Sequence, residues 1–178
     1  RVRSSAASDV YKRQPQDRLP AAAQALTNTA SHEILWSEPA PGALQTIEAL
    51  TRRGIDVVIV TNSDGHAAEN LRHARICQVG PGRGQPVRAI IDSTLVGAAK
   101  PDAAIFEMAL RAAGVDRAQA VHVGDMLTAD VAGAGNAGIA PIHLDPPRAC
   151  RAQGHRHIRS LSGIWRHISA PARTAARH

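Results

Sequence analysis

The chain has 178 residues, 44% of them hydrophobic, and a formal net charge of +6, enough for one domain with a packed core and too little for two large ones. No run reaches the roughly 18 apolar residues of a membrane span, and an aromatic content of 2% leaves little to stack on bases. These numbers lead us to expect a soluble, cytoplasmic protein with no nucleic-acid and no membrane partner, whose widely separated Cys77 and Cys150 are reduced thiols.

In chain order, the run from Ser4 to Gln14 resembles one reading frame of a transposase sequencing adapter. It holds the only tyrosine, Tyr11, and one of two lysines, and residues 1–14 carry a net +3. We therefore expect residues 1–14 to be a non-native scar, with authentic sequence beginning near Pro15. Residues 15–40 are Ala-rich and read as helix. From Pro41-Gly42, the residues Leu44, Ile47, Ala49 and Leu50 form a helical stripe that Gly54 ends.

Val57 to Val60 is a β-branched run, the pattern of a strand buried on both faces of a parallel sheet, and Thr61-Asn62-Ser63 ends it. A helix around His66 to Arg75, a Gly/Pro-rich loop over 80–85 and a short strand at Ala89 to Asp92 follow. Lys100-Pro101-Asp102 opens a helix with the apolar stripe Ile105, Phe106, Ala109, Leu110 and Ala113, Pro101 being suited to its first turn. Gly114 closes it. Ala120 to Val123 is a strand, Ala129 to Ala137 a helix of small residues capped by Gly138, and Pro141 to Leu144 a last strand. The alternation predicts an α/β fold, a Rossmann-like three-layer α/β/α arrangement on a parallel sheet. Residues 170–178 are expected to be a disordered basic tail.

Ligands of open parallel sheets bind beyond the carboxyl ends of the strands, and four polar residues stand there: Thr61, Lys100, Asp125 and Asp130. The Thr61 hydroxyl can donate to a phosphoryl oxygen, although a Thr ending a strand is commonly a satisfied turn residue. Lys100 is the only lysine after residue 14 in a chain that otherwise uses arginine, which points to a need for a compact ammonium. Asp125 and Asp130 follow a buried strand, with Gly124 permitting close approach; hard Mg²⁺ prefers such oxygen ligands, and helix capping is the alternative. Cys150, His155 and His157 match no standard zinc spacing and read as part of a solvated tail. His122, within a strand, reads as a satisfied core histidine.

Taken together, these segments resemble the haloacid dehalogenase (HAD) superfamily, in its phosphatase-type group with a small helical cap (subfamily IA-like). Val57 to Asn62 is similar to the second motif, Lys100-Pro101-Asp102 to the third, and Gly124-Asp125 through Asp130 to the fourth, GDxxxxD. The likeness covers about Pro41 to Leu144. It implies a remnant of helical cap over 15–40, a HAD-like core over 41–169, and hydrolysis of a small phosphorylated metabolite through an aspartyl-phosphate with Mg²⁺ as cofactor. By the same resemblance Thr61 orients the phosphoryl group, Lys100 holds nucleophile and phosphate charges together, Asn62 sits beside the substrate, and Asp125 coordinates the metal with Asp130 assisting.

The family's first motif, DxDx[TV], supplies the nucleophile and the general acid, and no Asp-x-Asp occurs in the 178 residues. The resemblance therefore implies a chain that is N-terminally truncated, lacks the first strand and most of the cap, and is inactive by itself. Two alternatives stay open, a 2-haloacid dehalogenase-like hydrolase, against which Asp125 argues, and a non-catalytic binding module.

Overall fold

A computed structural model describes residues 38–152 and 154–168, so the expectations for residues 1–14, 15–37 and 170–178 fall outside the described residues. Helix α1 spans Ala43–Arg52 and strand β1 Val58–Thr61. Helix α2 (Ala67–His73), β2 (Cys77–Val79), β3 (Gln85–Val87) and β4 (Ala89–Asp92) follow. After the short α3 (Ser93–Val96) come α4 (Ala103–Ala113) and β5 (Val121–Gly124). A π-helical turn (Leu127–Ala132) runs into α5 (Gly133–Asn136), and β6 (Ala140–Leu144), β7 (Arg156–Ile158) and a 3₁₀ helix (Leu161–Arg166) complete the order. No helix among the described residues is long and apolar enough to cross a membrane.

The strands form a parallel pair β1–β4, a pair β2–β3, and a parallel trio β5–β6–β7. Alternate side chains of a strand face opposite ways, and β1 with β4 shows it. Val60 and Ile91 pack against Ile105, Phe106, Ala134 and Ala137, contributed by α4 and the α5 segment. Ile59 and Ile90 meet the cluster of Ile76, Cys77 and Val87, which Leu44 and Ile47 of α1 and Leu71 of α2 also cover. Helices therefore lie on both faces, the expected three layers. A third cluster, Ile142, Ile158 and Ile164, joins β6, β7 and the 3₁₀ helix.

Four expectations need correction. The residues of β1 are only half-buried, as are those of β5, because among the described residues each strand has one hydrogen-bonded neighbour and an open edge. Pro101 precedes the first turn of α4: Asp102 is the cap, its carboxylate accepting from Ala104 N at 2.9 Å, while Gly114 closes the helix at φ 68 as expected. The Gly/Pro-rich loop is a closed feature between two unexpected strands, its ends tied to the buried Gln78, which accepts from Gly84 N (2.8 Å) and donates to Gly84 O (3.0 Å). Strands of three residues, one containing Pro86, carry almost no periodic signal. Finally, Cys150, His155 and His157 do not form a solvated tail: His157 lies within β7, paired with His143 of β6.

Packing of the small-residue helix is tight at one glycine and loose at another. A Cβ on Gly133 would approach Phe106 Cε2 and Pro101 Cα to 2.9 Å, whereas one on Gly135 meets nothing within 4 Å. Gly133→Ala should lower stability by about 1–3 kcal/mol through overpacking, while Gly135→Ala should be neutral or stabilising by up to about 1 kcal/mol; urea-unfolding midpoints of the two variants measure the contrast.

Candidate active site

Thr61 stands at the carboxyl end of β1 and Asp125 just after β5, and between them a set of contacts links Asn62, Lys100 and Asp130. Thr61 ends β1, and the amide of the next residue, Asn62, grips the main chain of Lys100: Lys100 N donates to Asn62 Oδ1 (2.8 Å) and Asn62 Nδ2 donates to Lys100 O (2.9 Å). The Lys100–Pro101 peptide held by this pair is cis. Lys100 Nζ in turn reaches Asp130 Oδ1 at 2.6 Å. Asp130 is 3% exposed and accepts further from His122 Nε2 (2.9 Å) and Met126 N (3.0 Å). Asp125, adjacent to Met126, is exposed, and its carboxylate makes no hydrogen bond among the described residues.

Local sequence explains why the chain can adopt this arrangement. Asp130 lies so close to β5 that a Cβ on Gly124 would overlap its carboxylate; only glycine fits there. The π-helical turn bonds both Asp130 N and Val131 N to Met126 O (2.8 and 3.2 Å), a wide turn of the kind that clusters at functional positions. It places the Asp130 side chain back over β5 instead of into solvent. Burial alone would raise the pKa of Asp130, but hydrogen bonds from His122, Lys100 and Met126 N, with the lysine charge, outweigh it and hold the carboxyl well below the usual carboxylate range.

Two residues that the sequence left without a role shape the site. His122 packs edge-to-face on Phe106 (5.0 Å between centroids) while fixing Asp130. Asp92, 1% exposed, sits opposite Thr61 in register and accepts from Gly65 N (3.1 Å), Ala67 N (3.2 Å) and Thr94 N (3.1 Å). It thereby sets the path of the loop after Thr61. Ser63 belongs to the same junction, since Ser63 N donates to Ser93 Oγ (3.1 Å) and Thr94 Oγ1 donates to Ser63 O (2.6 Å). The visible signal for Asp92 was an acidic residue ending a strand ahead of Ser93-Thr94, a capping pattern. Asn62, expected beside the substrate, spends both amide atoms on Lys100; one Nδ2 hydrogen is left over.

Comparison with known proteins agrees with the family and the fold. A haloacid dehalogenase-like hydrolase family model matches residues 6–138. The chain is 31% identical over 106 residues to ribulose-1,5-bisphosphate 5-phosphatase of Halopiger xanaduensis, which covers 60% of this chain and 42% of that protein. Among solved structures, a HAD phosphatase from Thermococcus onnurineus superposes with a TM-score of 0.62 at 26% identity, over 71% of this chain and 56% of that one. A 2-haloacid dehalogenase from Pseudomonas syringae pv. Tomato does so with a TM-score of 0.55 at 29% identity, over 71% and 51%. The chain thus spans about half the length of these three proteins.

Removing the lysine would strand a buried carboxylate, so Lys100→Ala should cost about 3–5 kcal/mol, and Asp130→Asn added to it should recover part of that loss; urea unfolding at neutral pH reads both. A carboxyl whose folded pKa is depressed contributes stability that is complete above its unfolded pKa of about 3.9 and declines as pH falls toward the folded value. The wild-type unfolding free energy should accordingly drop below about pH 4, more steeply than that of Lys100→Ala/Asp130→Asn, in stability measurements across the acid range.

Proposed function

Because the chain belongs to the haloacid dehalogenase-like hydrolases, of the phosphatase type, we propose that the whole protein hydrolyses a small phosphomonoester with Mg²⁺ at the carboxyl ends of β1 and β5. The observation that carries this reading is the unbroken contact path from Asn62 through Lys100 and Asp130 to Met126, which brings together groups remote in sequence. Thr61 donates its hydroxyl to a phosphoryl oxygen. Lys100 keeps two N–H donors beyond the one directed at Asp130 and faces the phosphate with them. Asn62 and His122 are positioning residues, the first for the Lys100 backbone and the second for Asp130.

The donor set suits Mg²⁺, because Asp125 offers an exposed hard oxygen ligand with room for water and phosphate oxygens beside it. Asp130, its oxygens already facing three donors, assists by shaping the Met126 turn and holding Lys100. Once bound, the cation would supply Lewis-acid stabilisation of the phosphoryl charge. In the proposed reaction a carboxylate takes the phosphoryl group, the alcohol leaves with a proton, and water then cleaves the aspartyl-phosphate. The DxDx[TV] pair that would serve as nucleophile and acid does not occur in the 178 residues, so this chain alone should be inactive.

The dehalogenase similarity gives a second reading, metal-independent release of halide from a 2-haloacid, against which the exposed Asp125 weighs. A full-length homologue with an intact first motif should turn over p-nitrophenyl phosphate only with Mg²⁺. Lys100→Ala and Asp125→Ala should each reduce kcat/KM at least about 100-fold. Wild-type turnover by both variants would refute the assignment, and halide release without metal would favour the second reading.

A further inference from the structure

Beyond the phosphate site, one cluster of metal-binding side chains has no role in the proposed reaction. His143 of β6, Cys150 of the following loop, and His155 and His157 at β7 each present a ligand atom within 4.8 Å of the others. We propose that these four residues form a structural zinc site that fastens the 150–158 segment to β6. Three imidazole nitrogens and a thiolate are the donors that Zn²⁺ takes in tetrahedral closed sites, and four protein ligands leave no open position for chemistry.

The geometry supports more than proximity. His143 Nε2 lies 3.0 Å from Asp125 O, an oxygen that can only accept, so Nε2 carries the hydrogen and Nδ1 presents its lone pair to the cluster. Nδ1 stands 3.3 Å from His155 Nε2, close to the roughly 3.3 Å between two nitrogens sharing a tetrahedral Zn²⁺ at about 2.0–2.1 Å. Cys150 Sγ lies 3.9 Å from the same His155 nitrogen, slightly wider than the roughly 3.6 Å expected for sulfur and nitrogen on one zinc. His155 and His157 stack at 4.3 Å, and His143 lies 5.3 and 5.2 Å from them, so three polar rings converge on one point at the edge of β6.

The scaffold around the donors is already built. Asp145, 8% exposed, accepts from Ala149 N and Cys150 N (3.0 Å each) and so sets the loop that delivers Cys150. Its main-chain N donates to Ile158 O (2.8 Å), tying the loop to β7, and its carboxylate approaches His157 Nδ1 at 3.8 Å. A carboxylate or carbonyl behind the imidazole is a usual support of metal-binding histidines, and Asp125 O supplies it to His143. Cys150 and His157 also border a cleft of about 640 Å³ shared with Arg148, Arg159 and Trp165, which gives an ion a route in. Through the His143 bond to Asp125 O, the same site would brace the loop that displays Asp125.

The test uses the full chain purified without an affinity tag that binds metal. After dialysis, elemental analysis should find one zinc per chain, retained in Asp125→Asn, which separates this site from the phosphate site. Replacement with Co²⁺ should give the intense visible bands of tetrahedral cobalt and a near-ultraviolet thiolate charge-transfer band. Cys150→Ser should abolish the charge-transfer band, His155→Asn should weaken zinc binding at least about 100-fold, and saturating zinc should raise the wild-type Tm. Folded wild-type protein that takes up neither zinc nor tetrahedral cobalt would overturn the proposal, as would retention of copper in place of zinc. The wild-type spectrum decides the matter even if a variant fails to fold.

Discussion

The ion pair between Lys100 and Asp130 is the constraint on which the rest of the structure turns. Its two side chains are 13% and 4% exposed, so neither charge is well solvated, and removing two ions from water is costly unless each finds its complement and further hydrogen bonds. Asp130 gains those from His122 and Met126 N. Lys100 has its backbone fixed on both sides by the Asn62 amide. An arrangement with so many partners has essentially one geometry. That geometry is what aligns the ends of β1 and β5.

This linkage matters because backbone pairing does not supply it. Among the described residues β1 bonds only to β4, and β5 only to β6, so the parallel pair and the parallel trio share no ladder. They are joined by the apolar cluster around Ile105 and Phe106 and, at the carboxyl ends, by the polar path through Lys100. Glycine makes both joints possible: Gly133 lets the helix lie on Phe106 and Pro101, and Gly124 lets Asp130 lie on β5. Each close approach excludes even one methyl group. A site assembled from distant segments depends on such permissive positions as much as on its charged groups.

Much of this was legible in the residues themselves. The run Val57 to Val60, the stripe Ile105, Phe106, Ala109, Leu110, and the glycines Gly54, Gly114 and Gly138 predict elements that the structure contains, because strand and helix impose distinct periods on apolar side chains. The rarity of lysine singled out Lys100, and the spacing of Asp125 and Asp130 after a strand singled out the fourth motif. The short pair β2–β3 escaped notice because three residues carry no period. Asp92 ahead of Ser93-Thr94 carries a capping pattern, but that it also holds Gly65 N and Ala67 N depends on the tertiary structure. His122 reads as a satisfied histidine, and the partner that satisfies it, Asp130, is fixed by the turn after β5.

The clearest separation between the two kinds of information lies in residues 143–158. Spacing alone made Cys150, His155 and His157 look like a solvated tail, since His143 stands well upstream and Asp145 had no visible purpose. Local pattern by itself determined the α/β alternation and the family resemblance, and it marked Thr61, Lys100, Asp125 and Asp130 as candidates, because those depend on short-range periodicity and side-chain chemistry. Tertiary structure alone decided which carboxylate pairs with Lys100, which faces solvent, and that four scattered donors meet beside β6. Those outcomes rest on hydrogen bonds between residues up to 38 positions apart, whose mutual distances arise only when the buried faces close on one another.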